Sequence, residues 1–418
     1  MIIKEVRVID PARNLDEVQD LYIENGKLSV TAPRTDRRII DGRGLVAAPG
    51  LIDMHVHLRD PGLLYKEDIY SGAKAAVAGG FTSVACMPNT VPSLDTPGQL
   101  HYVASKAKDA AARVFPVAAV TIGQNGEHLT DFKALRLAGA VALSDDGVPV
   151  DSAALLRLAM QRAAAVNLPI ISHCEDSGMV QNHGVNEGAV SKRLAIPGRP
   201  AIAEAIQVAR DILLAEDTGA HVHIAHVSTA KSVELIRRAK ADGVRVTAET
   251  CPQYFTLTED TLLEKGPLAR VNPPLRTAAD RDAIIGGLID GTIDTIVTDH
   301  APHSTEEKSG SIQDTPSGMI GLETALGLTL TALYHGGKLD LPAIVALMST
   351  APAAILSLPY GTLHPDTPAD VTIFDPNERW TVEPETFHSK SRNTPFGGMM
   401  LRGRVRYTIV DGALQYER

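Results

Sequence analysis

Cysteine is scarce in this 418-residue chain: three are spread over Cys86, Cys174 and Cys251. An odd, scattered set without a C-x-x-C pair excludes a disulfide framework and a zinc ribbon, and it leaves buried thiols as the expectation. Basic runs are missing too. With a formal charge of −10 and only 4% aromatic residues, the chain has no cationic, aromatic-studded face for nucleic acid, so a small-molecule substrate is expected instead. No apolar run is long enough to span a bilayer, and Met1-Ile2-Ile3-Lys4-Glu5 has no signal-peptide pattern. The cytoplasm is the compartment this predicts. What the chain does have is bulk, since 44% hydrophobic content over this length can bury a large α/β core with a smaller domain beside it.

The first fifty residues read as short strands at 2–8, 20–23, 38–40 and 45–48, with a turn at Glu24-Asn25-Gly26-Lys27. From Leu51 onward, strand-like runs alternate with Ala-rich helical stretches, the pattern of a parallel sheet built from βα units. Eight such runs fall at 51–57, 81–87, 114–120, 140–144, 168–174, 221–227, 244–250 and 294–298. Helices are predicted at 68–77, 152–165, 202–215, 230–241, 321–334 and 341–356. No G-x-G-x-x-G follows the first run, so a (β/α)8 TIM-type barrel fits better than a doubly wound sheet. Strand-like segments return at 369–374, 380–382, 399–401, 405–410 and 413–416. The expected division is a catalytic barrel over 51–356 and a small β-sandwich domain made from 1–50 and 357–418. The polar segment 304–318, just past the last barrel run, reads as a mobile loop.

Barrel chemistry sits at the C-terminal ends of the strands, and the residue types there are consistent. His55 and His57 end the first run, two residues apart on one face of a strand, which is chelating geometry. A His-x-His pair also occurs on strands that bind nothing, so the other run ends must decide. Asp145-Asp146 ends the fourth run, His173 the fifth, His226 the sixth and Asp299-His300 the eighth. Core histidines have no reason to share equivalent strand ends, so the set predicts a metal site. Strand parity does not choose between Asp145 and Asp146. It turns His221 and His223 away from His226, towards structural or helix-facing roles. His101, His128, His183, His335 and His364 read as surface residues. Four imidazoles and a carboxylate exceed one tetrahedral shell, which suggests two divalent ions, with zinc the best match to the ligands. Such ions acidify bound water, and Asp299 is placed to carry its proton to a leaving nitrogen. Arg59 continues the parity of the histidine pair and could meet an anionic group beside the metal.

The stretches His55-Val56-His57-Leu58-Arg59-Asp60-Pro61-Gly62, Met87-Pro88-Asn89-Thr90, Ser144-Asp145-Asp146-Gly147 and Thr298-Asp299-His300-Ala301-Pro302-His303 resemble class I dihydroorotases of the amidohydrolase superfamily. The tail Ser389-Lys390-Ser391-Arg392-Asn393-Thr394-Pro395-Phe396 is similar as well, so the resemblance spans the chain. It implies the reversible interconversion of N-carbamoyl-L-aspartate and L-dihydroorotate in de novo pyrimidine synthesis. It also implies metal ligation by His55, His57, Asp146, His173, His226 and Asp299, with Asp299 catalytic. Arg59, Asn89 and His303 would hold the substrate carboxylate, with Asn272 at the ring. The 304–318 segment matches one that closes over substrate. The fourth run has no lysine where hydantoinases carry a carboxylated one, so an aspartate bridge is implied and one or two zinc ions remain open. The rivals are a dihydropyrimidinase, hydantoinase or allantoinase, and a non-catalytic partner of aspartate transcarbamoylase. The first lacks a substrate carboxylate to meet Arg59, Asn89 and His303, and the second would be expected to have lost ligands. A homo-oligomer, and association with aspartate transcarbamoylase in addition to catalysis, are further expectations.

Overall fold

The computed structural model describes residues 1–33, 38–180 and 184–418, so His183 lies outside the described residues. The chain begins with β1 (Ile2–Asp10), β2 (Leu15–Glu24), β3 (Lys27–Ser29), β4 (Ile39–Asp41) and β5 (Val46–Pro49). Eight barrel strands follow: β6 (Leu51–Val56), β7 (Phe81–Cys86), β8 (Arg113–Ala118), β9 (Ala142–Leu143), β10 (Ile170–Ser172), β11 (Val222–Ile224), β12 (Val246–Thr250) and β13 (Thr295–Ile296). They are all parallel and pair in sequence order from β6 to β13. The ring is closed by a parallel bridge between Val56 and His300, where the His57 amide donates to the His300 carbonyl at 2.9 Å. Every residue of β6 and β7 is buried, which explains why these runs read as continuously apolar instead of alternating: helices cover the outside while side chains fill the inside.

The last strands, β14 (Val371–Thr381), β15 (Met400–Val410) and β16 (Ala413–Glu417), return to the beginning of the chain. β14 pairs antiparallel with β5, giving one eight-stranded sheet in the order β16-β15-β14-β5-β1-β2-β3, with β4 on β1. Its own core holds Ile3, Val8, Ile23, Ile40, Val371 and Ile409, drawn from both chain ends. Gly50 links the two units. Its amide donates to the Asp370 carbonyl at 2.9 Å, and any Cβ there would stand 2.1 Å from the Thr82 hydroxyl.

Most predicted helices form near their expected bounds. Asp68 caps Ile69–Ala78 by accepting from the Ser71 amide at 2.8 Å, and the Ser71 hydroxyl in turn accepts from the Asp68 amide at 3.1 Å. The two late helices differ from expectation. The 341–356 stretch divides into Leu341–Val345, a π turn Ala346–Thr350 and Ala351–Ile355. Pro352 explains the break, since it has no amide for the carbonyl four residues earlier and its ring crowds that group. The 321–334 stretch likewise becomes Ala325–Thr329 and a π turn Leu330–Tyr334. Several barrel strands are only two or three residues long, because the chain turns to deliver side chains to the mouth sooner than apolar content suggests. Among the described residues no helix is long and apolar enough to cross a membrane, and all three cysteines are free and buried.

Candidate metal centre

Six predicted ligands meet at the C-terminal mouth of the barrel. His55 Nε2 stands 3.4 Å from Asp146 Oδ1 and 3.8 Å from Asp299 Oδ1. His57 Nε2 is 3.0 Å from Asp299 Oδ1 and 3.5 Å from Asp146 Oδ2. His226 Nε2 and His173 Nδ1 approach Asp146 Oδ1 at 3.5 and 3.6 Å, and each other at 3.0 Å. Two donors on one tetrahedral zinc at ~2.0–2.1 Å bonds lie ~3.3 Å apart, so these separations suit atoms sharing a cation. The donor atoms of His55, His57 and Asp299 form one compact group, and those of His55, Asp146 and His226 form another. His55 Nε2 and Asp146 Oδ1 are buried with no hydrogen-bond partner, a costly arrangement in a dry interior unless they have another function. The donor set therefore fits a divalent metal.

Electrostatics agree. Burial disfavours a charge on His55, but Glu249 and Asp146 outweigh it and raise its proton affinity well above the ordinary value. His173 is likewise raised to about 9, against burial, by Asp146 and Glu175. Asp146 itself is buried, yet His55 and hydrogen bonds from the surrounding imidazoles hold it well below the usual carboxylate range. The two raised histidines report the negative potential of the carboxylates around them, and Asp146, kept ionised by the imidazoles, is part of its source.

The backbone brings these side chains in by a route that strand parity does not describe. Arg59, His226 and Asp299 have φ of +58°, +32° and +49°, the left-handed region, where a non-glycine residue costs ~1–3 kcal/mol. Parity therefore ends at β6 for Arg59, which reaches the same pocket from a turn, its Nε donating to the Pro302 carbonyl at 3.3 Å. It also ends at β11 for His226. His223, expected to face away, lies fully buried, with Nδ1 2.8 Å from Thr247 Oγ1 and Nε2 3.1 Å from Glu249. His221 contacts the same Thr247 hydroxyl at 2.8 Å. Of the surface expectations, His335 departs: it is half-buried, 2.7 Å from the Pro376 carbonyl. Asp145 turns from the mouth to accept from the Val120 amide at 2.8 Å and from Thr121, which leaves Asp146 facing the ligands.

A cavity of about 230 Å³ opens over this cluster, lined among others by Arg59, Asn89, Asn272 and His303. Asn89 Oδ1 is 2.8 Å from His57 Nδ1, and its amide donates to Asp146 at 3.2 Å. Asn272 accepts from Arg199 at 2.5 Å and turns its amide towards His173 Nε2 at 3.3 Å. His303 Nε2 lies 2.9 Å from the Ser317 carbonyl. The 304–318 segment carries a short helix, Thr305–Lys308, and contributes Ser317 and Gly318 to the pocket wall. Lys308 donates to the carbonyls of Pro316 at 2.9 Å and Gly318 at 3.2 Å, and Arg270 donates to those of Ile312 at 2.7 Å, Gln313 at 2.9 Å and Thr315. Gly318, at φ +136°, is needed where the chain presses on Ala301, since a Cβ would come within 2.8 Å of the Ala301 methyl.

Sequence reasoning missed Glu249, which β12 carries into the barrel beneath His55, and the pair Glu175 and Arg199 beside Asn272. The inward parity of Thr247 and Glu249 was the available signal. A carboxylate two residues before Cys251, at the end of a barrel run, deserved the weight given to the histidines.

Residues 44–232 match the dihydro-orotase-like family, and residues 193–416 match the amidohydrolase family. A dihydroorotase of Syntrophotalea carbinolica is 50% identical over 100% of this chain and 99% of its own. Dihydroorotases of Syntrophus aciditrophicus and Citrifermentans bemidjiense are 48% and 49% identical, each over 100% of this chain and 99% of their own. Among solved structures, the L-hydantoinase (dihydropyrimidinase) of Arthrobacter aurescens is similar with a TM-score of 0.87 and 27% identity, covering 100% of this chain and 96% of that one. The dihydropyrimidinase of Brevibacillus agri, at 24% identity and a TM-score of 0.84 over 99% of this chain and 94% of that one, shares the fold.

Proposed function

The chain belongs to the dihydroorotase family of amidohydrolases, and from that premise we propose how its residues carry the interconversion of N-carbamoyl-L-aspartate and L-dihydroorotate. One observation carries the assignment: the Arg59 guanidinium lines the same pocket as the buried ligand cluster. A planar cation beside a hydrolytic centre suits a substrate with a carboxylate next to its scissile amide. Hydantoins and dihydropyrimidines offer no such group.

In this reading His55, His57 and Asp299 would hold one divalent ion and His173 and His226 a second, with Asp146 as a ligand available to either. Support comes from Asp146 itself, whose Oδ1 faces His55, His173 and His226 while Oδ2 faces His57. Zinc matches the imidazole-rich donor set, in one or both positions. When bound, such ions polarise the ring carbonyl and acidify water. Arg59, Asn89 and His303 orient the substrate by its carboxylate, and Asn272, held by Arg199, faces the ring. Asp299 accepts the proton of the attacking water and delivers it to the ring nitrogen as the carbon–nitrogen bond breaks; cyclisation is the reverse. The folded 304–318 segment excludes water.

We divide the chain into a barrel over 51–356 and a sheet domain from 1–50 and 357–418. We also propose a cytoplasmic homo-oligomer that associates with aspartate transcarbamoylase while retaining its own catalysis, since every candidate ligand is present. The test is metal analysis with dihydroorotate hydrolysis on the purified chain alone. Bound zinc and turnover of dihydroorotate, well above that of hydantoin or dihydrouracil, are expected. A preference for the uncharged rings would overturn the assignment, and absent turnover with full metal would favour the scaffold reading.

A further inference from the structure

Lys66 is outside the pocket wall yet buried beside it, at 8% exposure. It lies between β6 and the helix Ile69–Ala78, with Nζ 3.3 Å from His303 Nδ1 and 2.8 Å from Glu307 Oε1. An ammonium can only donate, so His303 Nδ1 is an acceptor. The Ser317 carbonyl, 2.9 Å from Nε2, can only accept, so Nε2 carries the proton. The two partners together select one neutral tautomer.

We propose that Lys66 is a positioning residue that locks His303 as the Nε2–H imidazole, whose N–H lies in the pocket wall and is shared between the Ser317 carbonyl and the substrate carboxylate. The proposal rests on the reading of His303 as a carboxylate-binding residue. The charges around the ring fit it: burial, then Arg59, Lys66 and Lys308, pull the His303 proton affinity down to about 3. Glu307 opposes them, its Oε2 3.6 Å from Nδ1 and its Oε1 accepting from Tyr65 at 2.9 Å. Lys66 contacts both His303 Nδ1 and Glu307 Oε1, so its ammonium offsets the carboxylate beside the ring. Without the ammonium, Nδ1 faces a bare carboxylate, which favours the neutral tautomer that carries its one proton on Nδ1 instead of Nε2. Nε2 then becomes an acceptor, which repels both the Ser317 carbonyl and an incoming carboxylate.

The test uses 15N-histidine NMR on the metal-loaded full chain, with the His303 signals assigned by their loss in His303→Gln. The native protein should keep an unprotonated Nδ1 and a protonated Nε2 across neutral pH. Lys66→Met should move the proton to Nδ1 or introduce a titration near neutrality. At pH 8 it should also raise KM for dihydroorotate about tenfold with kcat little changed, as for one lost charge-assisted hydrogen bond. Lys66→Arg should restore both in part. Glu307→Gln, which removes the tie to the 304–318 segment but keeps the Lys66–His303 contact, should leave the native spectrum. An unchanged His303 spectrum in Lys66→Met overturns the proposal, as does a Glu307→Gln variant that reproduces both effects. A shifted tautomer with unchanged KM would retain the lock and refute the carboxylate role of His303.

Discussion

Glu249 Oε1 lies 2.5 Å from Nδ1 of His55, and both side chains are fully buried. The carboxylate holds the proton on Nδ1 and turns Nε2 to the mouth of the barrel, while its second oxygen meets His223 at 3.1 Å. Burial would raise the Glu249 carboxyl, yet His55 and His223 keep it far below the ordinary range. A carboxylate behind a ligating imidazole fixes its tautomer and strengthens it as a ligand.

Glu249→Gln should therefore weaken metal binding by about 10- to 100-fold with the fold intact. Chelator competition followed by metal analysis measures it. Native affinity in the variant would make Glu249 a packing residue.

His57 joins Asn89 on one nitrogen and Asp299 on the other. Removing its ring in His57→Ala should lower bound metal and turnover together, and added zinc should restore turnover only at high concentration. Full metal retention would remove His57 from the ligand set.

Asp299 occupies a left-handed conformation that asparagine tolerates, so Asp299→Asn tests chemistry without adding backbone strain. Metal should remain bound, and kcat should fall by about 10²- to 10⁴-fold, the usual worth of a positioned proton carrier. An active variant would rule out proton transfer by this residue.

Arg59→Met should raise KM for dihydroorotate by about 10- to 100-fold, the loss of a charge-assisted bidentate contact. Side activity on an uncharged hydantoin should change little. Equal losses on both substrates would sink the carboxylate assignment.

His303 is pulled down to about 3 by burial and by Arg59, Lys66 and Lys308. An unfolded histidine titrates near ~6.5, so between those values the unfolded chain binds the extra proton and folding loses stability as pH falls, with a slope approaching ~1.4 kcal/mol per pH unit. His303→Gln should flatten the stability profile between pH 6 and 4 relative to the native chain, measured by urea unfolding at equal metal. Identical slopes would mean that His303 is protonated in the folded protein.

The eight barrel runs and the histidines at their ends were legible because strands covered on both faces are apolar throughout, and a parallel barrel sends all their C-terminal ends to one mouth. The helix at 341–356 was less legible, since Pro352 removes one amide from the ladder of a stretch that otherwise reads as continuous helix. Parity failed beyond β6 and β11 for a related reason. It holds only while the chain stays extended, and Arg59 and His226 leave the strands through left-handed turns.

Residue type and spacing along the chain thus determined the barrel, the candidate ligand cluster and the cationic neighbour Arg59, because each depends on local pattern and on a rule common to all parallel barrels. Only the tertiary structure decided which nitrogen each imidazole presents, how Asp145 turns away to Val120 and Thr121 where strand parity left it level with Asp146, and that Glu249 and Lys66 stand behind His55 and His303. Those choices are made by contacts between strands and loops up to 242 residues apart, and no local pattern encodes them.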